Sequence, residues 1–203
     1  MTIFLHHGDL PDDFDPGNSI AVDSETMGLR VKRDRLCLVQ VSTGNGDAHL
    51  VKFDGKSFDA PNLKKILVDE NIVKIFHFAR FDIAALGFYL DLEVKNIYCT
   101  KIASKLTRTY TDHHGLKSIC DELLGVELSK KQQSSDWGND QITEKQKEYA
   151  ASDVLYLHRL KEKLDVMLER EGRLEVFNKC VEFLPIRAKM DLDGFGSLDI
   201  FAH

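Results

Sequence analysis

Five residues of this chain have the types and spacing for metal-assisted chemistry: Asp23, Glu25, Asp82, Tyr149 and Asp153. The run Ile20-Ala21-Val22 leads straight into Asp23-Ser24-Glu25, two acids two residues apart. Side chains alternate along an extended strand, so both acids point to one face. Like charges side by side in a buried setting are costly unless a cation or an opposite charge lies between them. For this stretch alone, a surface turn after a strand is the alternative. Asp82 ends Phe76-His77-Phe78-Ala79-Arg80-Phe81-Asp82, which follows a compact apolar run and puts the acid near the start of a helix. Tyr149 and Asp153 are four residues apart in a helical stretch, hence one turn apart on one face. That face is otherwise apolar, with Val154, Tyr156 and Leu157, a poor environment for an aspartate unless it meets a metal, a lysine or an arginine. If the four carboxylates converge, cations must neutralise them, and hard oxygen ligands favour Mg²⁺ or Mn²⁺ over zinc.

The elements that must position these groups alternate between strand and helix signals. Strands are expected at 19–22, 35–42, 48–53, 72–76 and 94–98, the first three joined as a meander through the Thr43-Gly44-Asn45-Gly46-Asp47 turn cluster. Pro61 opens a helix over 62–69, and 79–90 reads as another. Beyond Thr100 helical periodicity dominates, most clearly over 143–171, with Thr143 as its cap and a stripe of Val154, Leu157, Leu160, Leu164 and Leu168. A mixed five-stranded sheet flanked by helices is an α/β architecture, and 203 residues without a repeat or linker read as one domain, 1–203.

A net charge of −6 excludes a global basic field for long duplexes, while leaving room for local positive charge at Arg30, Lys32, Arg33, Lys130 and Lys131. No apolar run reaches membrane-spanning length, and the first residues lack the pattern of a secretion signal, so a cytoplasmic protein without membrane contact is expected. Cys37, Cys99, Cys120 and Cys180 are scattered among apolar residues and read as reduced core thiols. His113-His114 reads as the approach to a helix near Leu116 rather than as a metal site. The segment 185–203 keeps Phe195, Leu198, Ile200 and Phe201, which suits a tail docked on the core or on a neighbouring subunit; a loosely ordered end is the alternative.

Asp23-Ser24-Glu25, the 76–82 segment and Tyr149-Ala150-Ala151-Ser152-Asp153 resemble the three exonuclease motifs of the DEDD superfamily, in the tyrosine-bearing subclass typified by ribonuclease D. The stretch 128–138 is similar to the one that precedes the last motif in ribonuclease D-like proteins. The likeness runs from about residue 18 to 165, and the chain leaves no room for the helical nucleic-acid-binding domains of full-length ribonuclease D, so it looks like the compact nanoRNase C family.

This resemblance implies a ribonuclease H-like fold and a 3′-5′ exonuclease domain. It further implies two divalent cations, Mg²⁺ or Mn²⁺, with Asp23 bridging both, Glu25 and Asp153 completing one ion, and Asp82 supporting the other. Two such ions about 3.5–4 Å apart suit in-line phosphoryl displacement. Tyr149 would orient the attacking water, since a free phenol with a pKa of about 10 is a poor base; a core tyrosine is the alternative. Leu29, after Gly28, matches the residue that wedges between terminal bases, with core packing as the alternative reading. His77, where many relatives carry asparagine nearby, and Phe78 and Phe81 would line the substrate, the phenylalanines as stacking surfaces. Lys130 and Lys131 are the best-placed cations for phosphates. The expected substrate is short single-stranded RNA, dinucleotides included, cut to nucleoside 5′-monophosphates by a homo-oligomer, an octamer by resemblance. Trimming of tRNA 3′ ends or of DNA is the alternative, and an inactive nucleic-acid-binding module a third reading, one that should lack a carboxylate.

Overall fold

The strand that carries the first two acids lies inside a mixed sheet. A computed structural model describes residues 1–129, 131–132 and 135–203. Among these, six strands, β1 (Ile3–His7), β2 (Ser19–Thr26), β3 (Leu36–Ser42), β4 (Ala48–Lys52), β5 (Val73–Phe76) and β6 (Ile97–Cys99), form one sheet in the order β1-β4-β3-β2-β5-β6. β2 pairs antiparallel with β3 and parallel with β5, and β5 pairs parallel with β6. β3 is buried along its whole length, as expected for a strand covered on both faces.

The sheet has one strand more than the five expected. β1 is an edge strand, only partly buried, and it pairs in parallel with β4 across some forty residues of sequence. Its Ile-Phe-Leu-His-His run gives no clean alternation, and a parallel partner so distant leaves no turn signal to read.

Seven helices cover the sheet: α1 (Pro61–Val68), α2 (Ala79–Leu90), α3 (Thr100–Thr107), α4 (Leu116–Leu124), α5 (Glu144–Leu155), α6 (Leu157–Arg170) and α7 (Leu174–Leu192), counted among the described residues. Ile20 and Val22 of β2 pack with Leu63 of α1, Leu86 of α2 and Leu184 of α7 on one face. Ala21 packs on the opposite face with Ile119 of α4, Val154 of α5 and Leu160 of α6. The alternation therefore sends Asp23 and Glu25 toward α5, and Ser24 toward α2.

Two expectations need correction. The helix expected over 143–171 is two, α5 and α6, broken at Tyr156 (φ −106°, ψ −5°). The apolar stripe continues through the break, so periodicity alone does not reveal it. Cys180 is exposed on α7, whereas Cys37, Cys99 and Cys120 are buried; all four are free thiols. The cap at Thr143 is present, in a reciprocal capping box with Gln146.

Beyond α7 the chain folds back. Arg80 of α2 holds Asp191 through Nε (2.5 Å) and Nη2 (2.6 Å) and donates to the Gly196 carbonyl at 2.8 Å. Arg187 Nη2 donates to the same carbonyl. Phe195, Leu198, Ile200 and Phe201 nevertheless face outward. No helix among the described residues is long and apolar enough to cross a membrane.

Candidate active site

Three of the predicted acids meet where β2 faces α5. Carboxylate oxygens of Asp23, Glu25 and Asp153 lie within 4.8 Å of one another. β2 supplies two of them by strand alternation, and α5 supplies the third from the face that packs on the sheet. Asp82, in the first turn of α2, is buried and stands one step away: its Oδ1 accepts a hydrogen bond of 2.7 Å from Ser24 Oγ. Gln40, directly across the ladder from Asp23, donates from Nε2 to Asp23 Oδ2 at 3.3 Å.

Among the described residues, the side-chain hydrogen bonds these acids accept come from neutral donors. No lysine, arginine or histidine among the described residues forms an ion pair with any of the four. Desolvation, with Asp82, Asp153 and Glu25 nearby, holds the Asp23 carboxyl well above the usual carboxylate range. Desolvation and the charges of Asp153 and Asp82 push Glu25 up to about 9. Asp82 and Asp153 rise to about 7, chiefly through desolvation; the Ser24 hydroxyl pulls the first back and the Tyr149 hydroxyl the second. A set of all-oxygen, uncompensated carboxylates fits a hard divalent cation, which would relieve both the repulsion and the desolvation.

Tyr149 is half-buried one turn before Asp153, and its ring centroid lies 6.1 Å from that of Trp137. Burial and the surrounding acids raise its phenol above its ordinary value. Leu29 is 86 % exposed, so it is not a core residue. It stands on a turn closed by Asp34, whose Oδ2 accepts from the Arg30 amide at 2.9 Å and which pairs with Arg33. A Cβ on Gly28 would lie 2.5 Å from Asp34 Oδ2, so a side chain there would displace the carboxylate that closes the turn.

The second-motif residues divide. Phe78 caps α2 in the left-handed region (φ 71°), a strained conformation for a non-glycine residue, and its ring is 44 % exposed beneath Lys101 Nζ, 4.3 Å away. Phe81 is half-buried. His77 turns inward, with Nδ1 2.9 Å from Thr100 Oγ1, and burial beside Lys101 drops it to about 3, a neutral imidazole. Lys131 is exposed in an open cleft with Lys117 and Glu127 and forms no ion pair among the described residues. Lys130 lies outside the described residues. His113 and His114 precede α4, with His114 Nδ1 2.9 Å from Ser104 Oγ, and neither joins a metal-type cluster among the described residues.

Sequence reasoning passed over Ser24, Gln40 and Lys101. Gln40 left a signal, since it is the one amide in the wholly buried Leu36–Ser42 strand. Lys101 left none, because its place over Phe78 depends on how α3 meets the start of α2.

A mixed sheet presenting clustered carboxylates beside a helix tyrosine is an arrangement suited to metal-assisted phosphoryl chemistry. Residues 11–169 match the 3′-5′ exonuclease family, and the chain belongs to it. Over its whole length it is similar to Brucella melitensis NrnC, with 53 % identity, a TM-score of 0.96 and full coverage of both chains. That protein has also been solved bound to pGG (52 % identity, TM-score 0.96, covering 100 % of this chain and 99 % of that one). A further structure has bound Mg²⁺ (52 % identity, TM-score 0.95, 100 % of both). The chain is also similar to ribonuclease D of Gluconacetobacter diazotrophicus, 30 % identical over 156 residues, which make up 77 % of this chain and 39 % of that protein. Ribonuclease D of Escherichia coli is 34 % identical over 158 residues, 77 % of this chain and 41 % of that one. The chain thus spans about two-fifths of the length of the curated relatives it matches.

Proposed function

We propose that this protein is a cytoplasmic 3′-5′ exoribonuclease that hydrolyses short single-stranded RNA, dinucleotides included, to nucleoside 5′-monophosphates. The observation that carries this reading is the meeting of Asp23, Glu25 and Asp153 within 4.8 Å with no cationic side chain paired to them among the described residues. Two Mg²⁺ or Mn²⁺ ions held by these residues, with Asp82 supporting the second, would stabilise negative charge on the attacking and leaving oxygens.

The chain's own residues do the rest. Ser24 and Gln40 fix the Asp82 and Asp23 carboxylates in orientation. Tyr149, protonated in the metal-free protein, orients the water that attacks phosphorus. A new P–O bond forms to that water, which releases a proton to solvent, while the P–O3′ bond breaks and the freed 3′ oxygen takes up a proton from solvent. Leu29 projects from its turn as a wedge between bases, and the open face of Phe78 offers a stacking surface.

The preference for very short RNA is supported by full-length likeness to NrnC, solved with pGG. Self-association is supported by the outward apolar side chains of the C-terminal segment. Partial likeness to ribonuclease D favours a second reading, trimming of longer RNA 3′ ends, with DNA as a further candidate substrate. Turnover of labelled dinucleotides, longer RNA and duplex DNA, compared side by side with Mg²⁺ and with Mn²⁺, separates these readings. Dinucleotides should be consumed fastest; dinucleotides that persist while long strands shorten would reverse the order.

A further inference from the structure

Three successive backbone carbonyls behind the site each accept a hydrogen bond from a different side chain. Gln146 Nε2, in the first turn of α5, donates to Asp136 O at 3.2 Å. Lys52 Nζ, at the end of β4, donates to Trp137 O at 3.0 Å, with a longer contact to Phe53 O at 3.4 Å. Arg35 Nη2, at the entrance to β3, donates to Gly138 O at 2.9 Å. Lys52 is buried, and among the described residues neither Lys52 nor Arg35 forms an ion pair.

Burying a cation without an ion-pair partner is expensive, and the charges of Asp136 and Asp140 offset only part of that cost at Lys52. What the cations add is direction: charge-assisted hydrogen bonds that fix three consecutive peptide groups. Gly55 makes room for one of them. Its φ of +81° already favours glycine, and a Cβ there would lie 2.8 Å from the Arg35 guanidinium.

The turn so held carries Trp137, whose indole is 2 % exposed and packs with Cys37, Leu38 and Ala150. It also meets Tyr149, at a ring-centroid distance of 6.1 Å and an interplanar angle of 39°. Tyr149 packs partly against this same cluster, so the indole forms the wall behind it. Among the described residues, indole Nε1 and Arg35 Nη1 are both buried without hydrogen-bond partners, so packing with their surroundings holds these groups.

We propose that Lys52 and Arg35 are positioning residues of the nuclease site, clamping the Asp136–Gly138 turn so that Trp137 fixes the Tyr149 ring and aims its hydroxyl at the attacking water. This rests on the reading that Tyr149 serves hydrolysis. Small displacements of an aligned group cost rate out of proportion to their size, about a hundredfold for 1 Å.

The test is a double-mutant cycle on the full chain, with kcat and KM measured on pGG in Mg²⁺ and Mn²⁺ affinity measured by calorimetry. Lys52→Met should lower kcat about tenfold or more, with KM and Mn²⁺ affinity within about twofold of the parent. In a Tyr149→Phe background the same change should cost less than about twofold, because the group it aims is gone. Equal losses in both backgrounds, or an unchanged kcat for Lys52→Met, overturn the clamp while leaving the proposed function intact. A wild-type rate for Tyr149→Phe removes the role of the tyrosine, and the clamp with it. If Lys52→Met does not fold, Arg35→Met is read through the same cycle by the same criteria. Unfolding of both variants also overturns the proposal, since the pair would then hold the fold and not set the rate.

Discussion

Two charged clusters in this protein are built on opposite rules. Where α3 meets α4, Arg108 is fully buried and each guanidinium nitrogen has a partner: Nε and Nη2 hold the Glu122 carboxylate, and Nη1 donates to Ser104 Oγ and the His113 carbonyl, each at 2.9 Å. The Tyr110 hydroxyl adds a hydrogen bond to the same carboxylate, and together these partners pull Glu122 below the usual glutamate range. At the proposed nuclease site the acids are pushed upward instead, and among the described residues their support comes from neutral groups: the Ser24, Gln40 and Tyr149 side chains and backbone amides. The first cluster neutralises itself, whereas the second leaves its carboxylates without a paired cation among the described residues. Removing a charge should therefore harm the fold in one place and the reaction in the other.

The sharpest form of that contrast is Asp23→Ala or Asp153→Asn. Either should cut turnover about a thousandfold or more. Neither should lower the melting temperature of the metal-free protein, since each removes a like charge from a repulsive set. Activity and thermal melts on the same preparations check both halves. Turnover that survives either substitution would sink the carboxylate cluster as the reaction centre.

Glu122→Ala is the mirror experiment. It strands the buried Arg108 guanidinium, and because Glu122 is 41 % exposed the cost should be about 2 kcal/mol, less than for a fully buried pair. Urea unfolding should give that loss at a kcat within about twofold of the parent. A variant as stable as the parent would mean that the two clusters do not differ in kind.

Much of the site was legible before the structure because its signals are local. Asp23 and Glu25 share a strand face, Tyr149 and Asp153 share a helix face, and Asp82 follows a compact apolar run into a helix start. α2 falls on the expected residues, 79–90, and β2 to β5 lie within a few residues of theirs. β6 falls later than expected because Asn96 takes a positive φ of 50° and delays the strand past Val94. The remainder depends on long-range geometry. Lys52 and Arg35 look like solvent-facing charges in sequence, yet they meet carbonyls 85 and 103 residues away. Leu29 could be core or wedge by type alone, and only its turn decides that it projects.

Leu29→Ala adds a smaller effect from the turn that follows β2. The side chain is almost wholly exposed, so stability should change by less than about 0.5 kcal/mol. Losing the wedge should raise KM for a dinucleotide about tenfold, roughly the free energy of burying part of a leucine against bases. Steady-state kinetics on pGG read this directly; an unchanged KM would leave Leu29 without a substrate contact.

The smallest effect is a pH dependence whose sign follows from the same carboxyl groups. In the metal-free protein Asp82 and Asp153 titrate near 7 and Glu25 near 9, all above their unfolded values. Between about pH 4 and 9 the native state therefore binds more protons than the unfolded one, and stability falls as pH rises. Added Mg²⁺ or Mn²⁺ supplies the missing positive charge only where the acids ionise, so its stabilising effect should grow over the same interval. Melting curves at pH 6 and pH 8, with and without Mn²⁺, should show a metal-dependent rise larger by a few degrees at pH 8. Glu122→Ala should keep that difference, because Arg108 and its partners take no part in it, while Asp153→Asn should shrink it. A metal response equal at both pH values would mean that the cluster is already ionised without its cations, and the contrast between the two regions would lose its electrostatic basis.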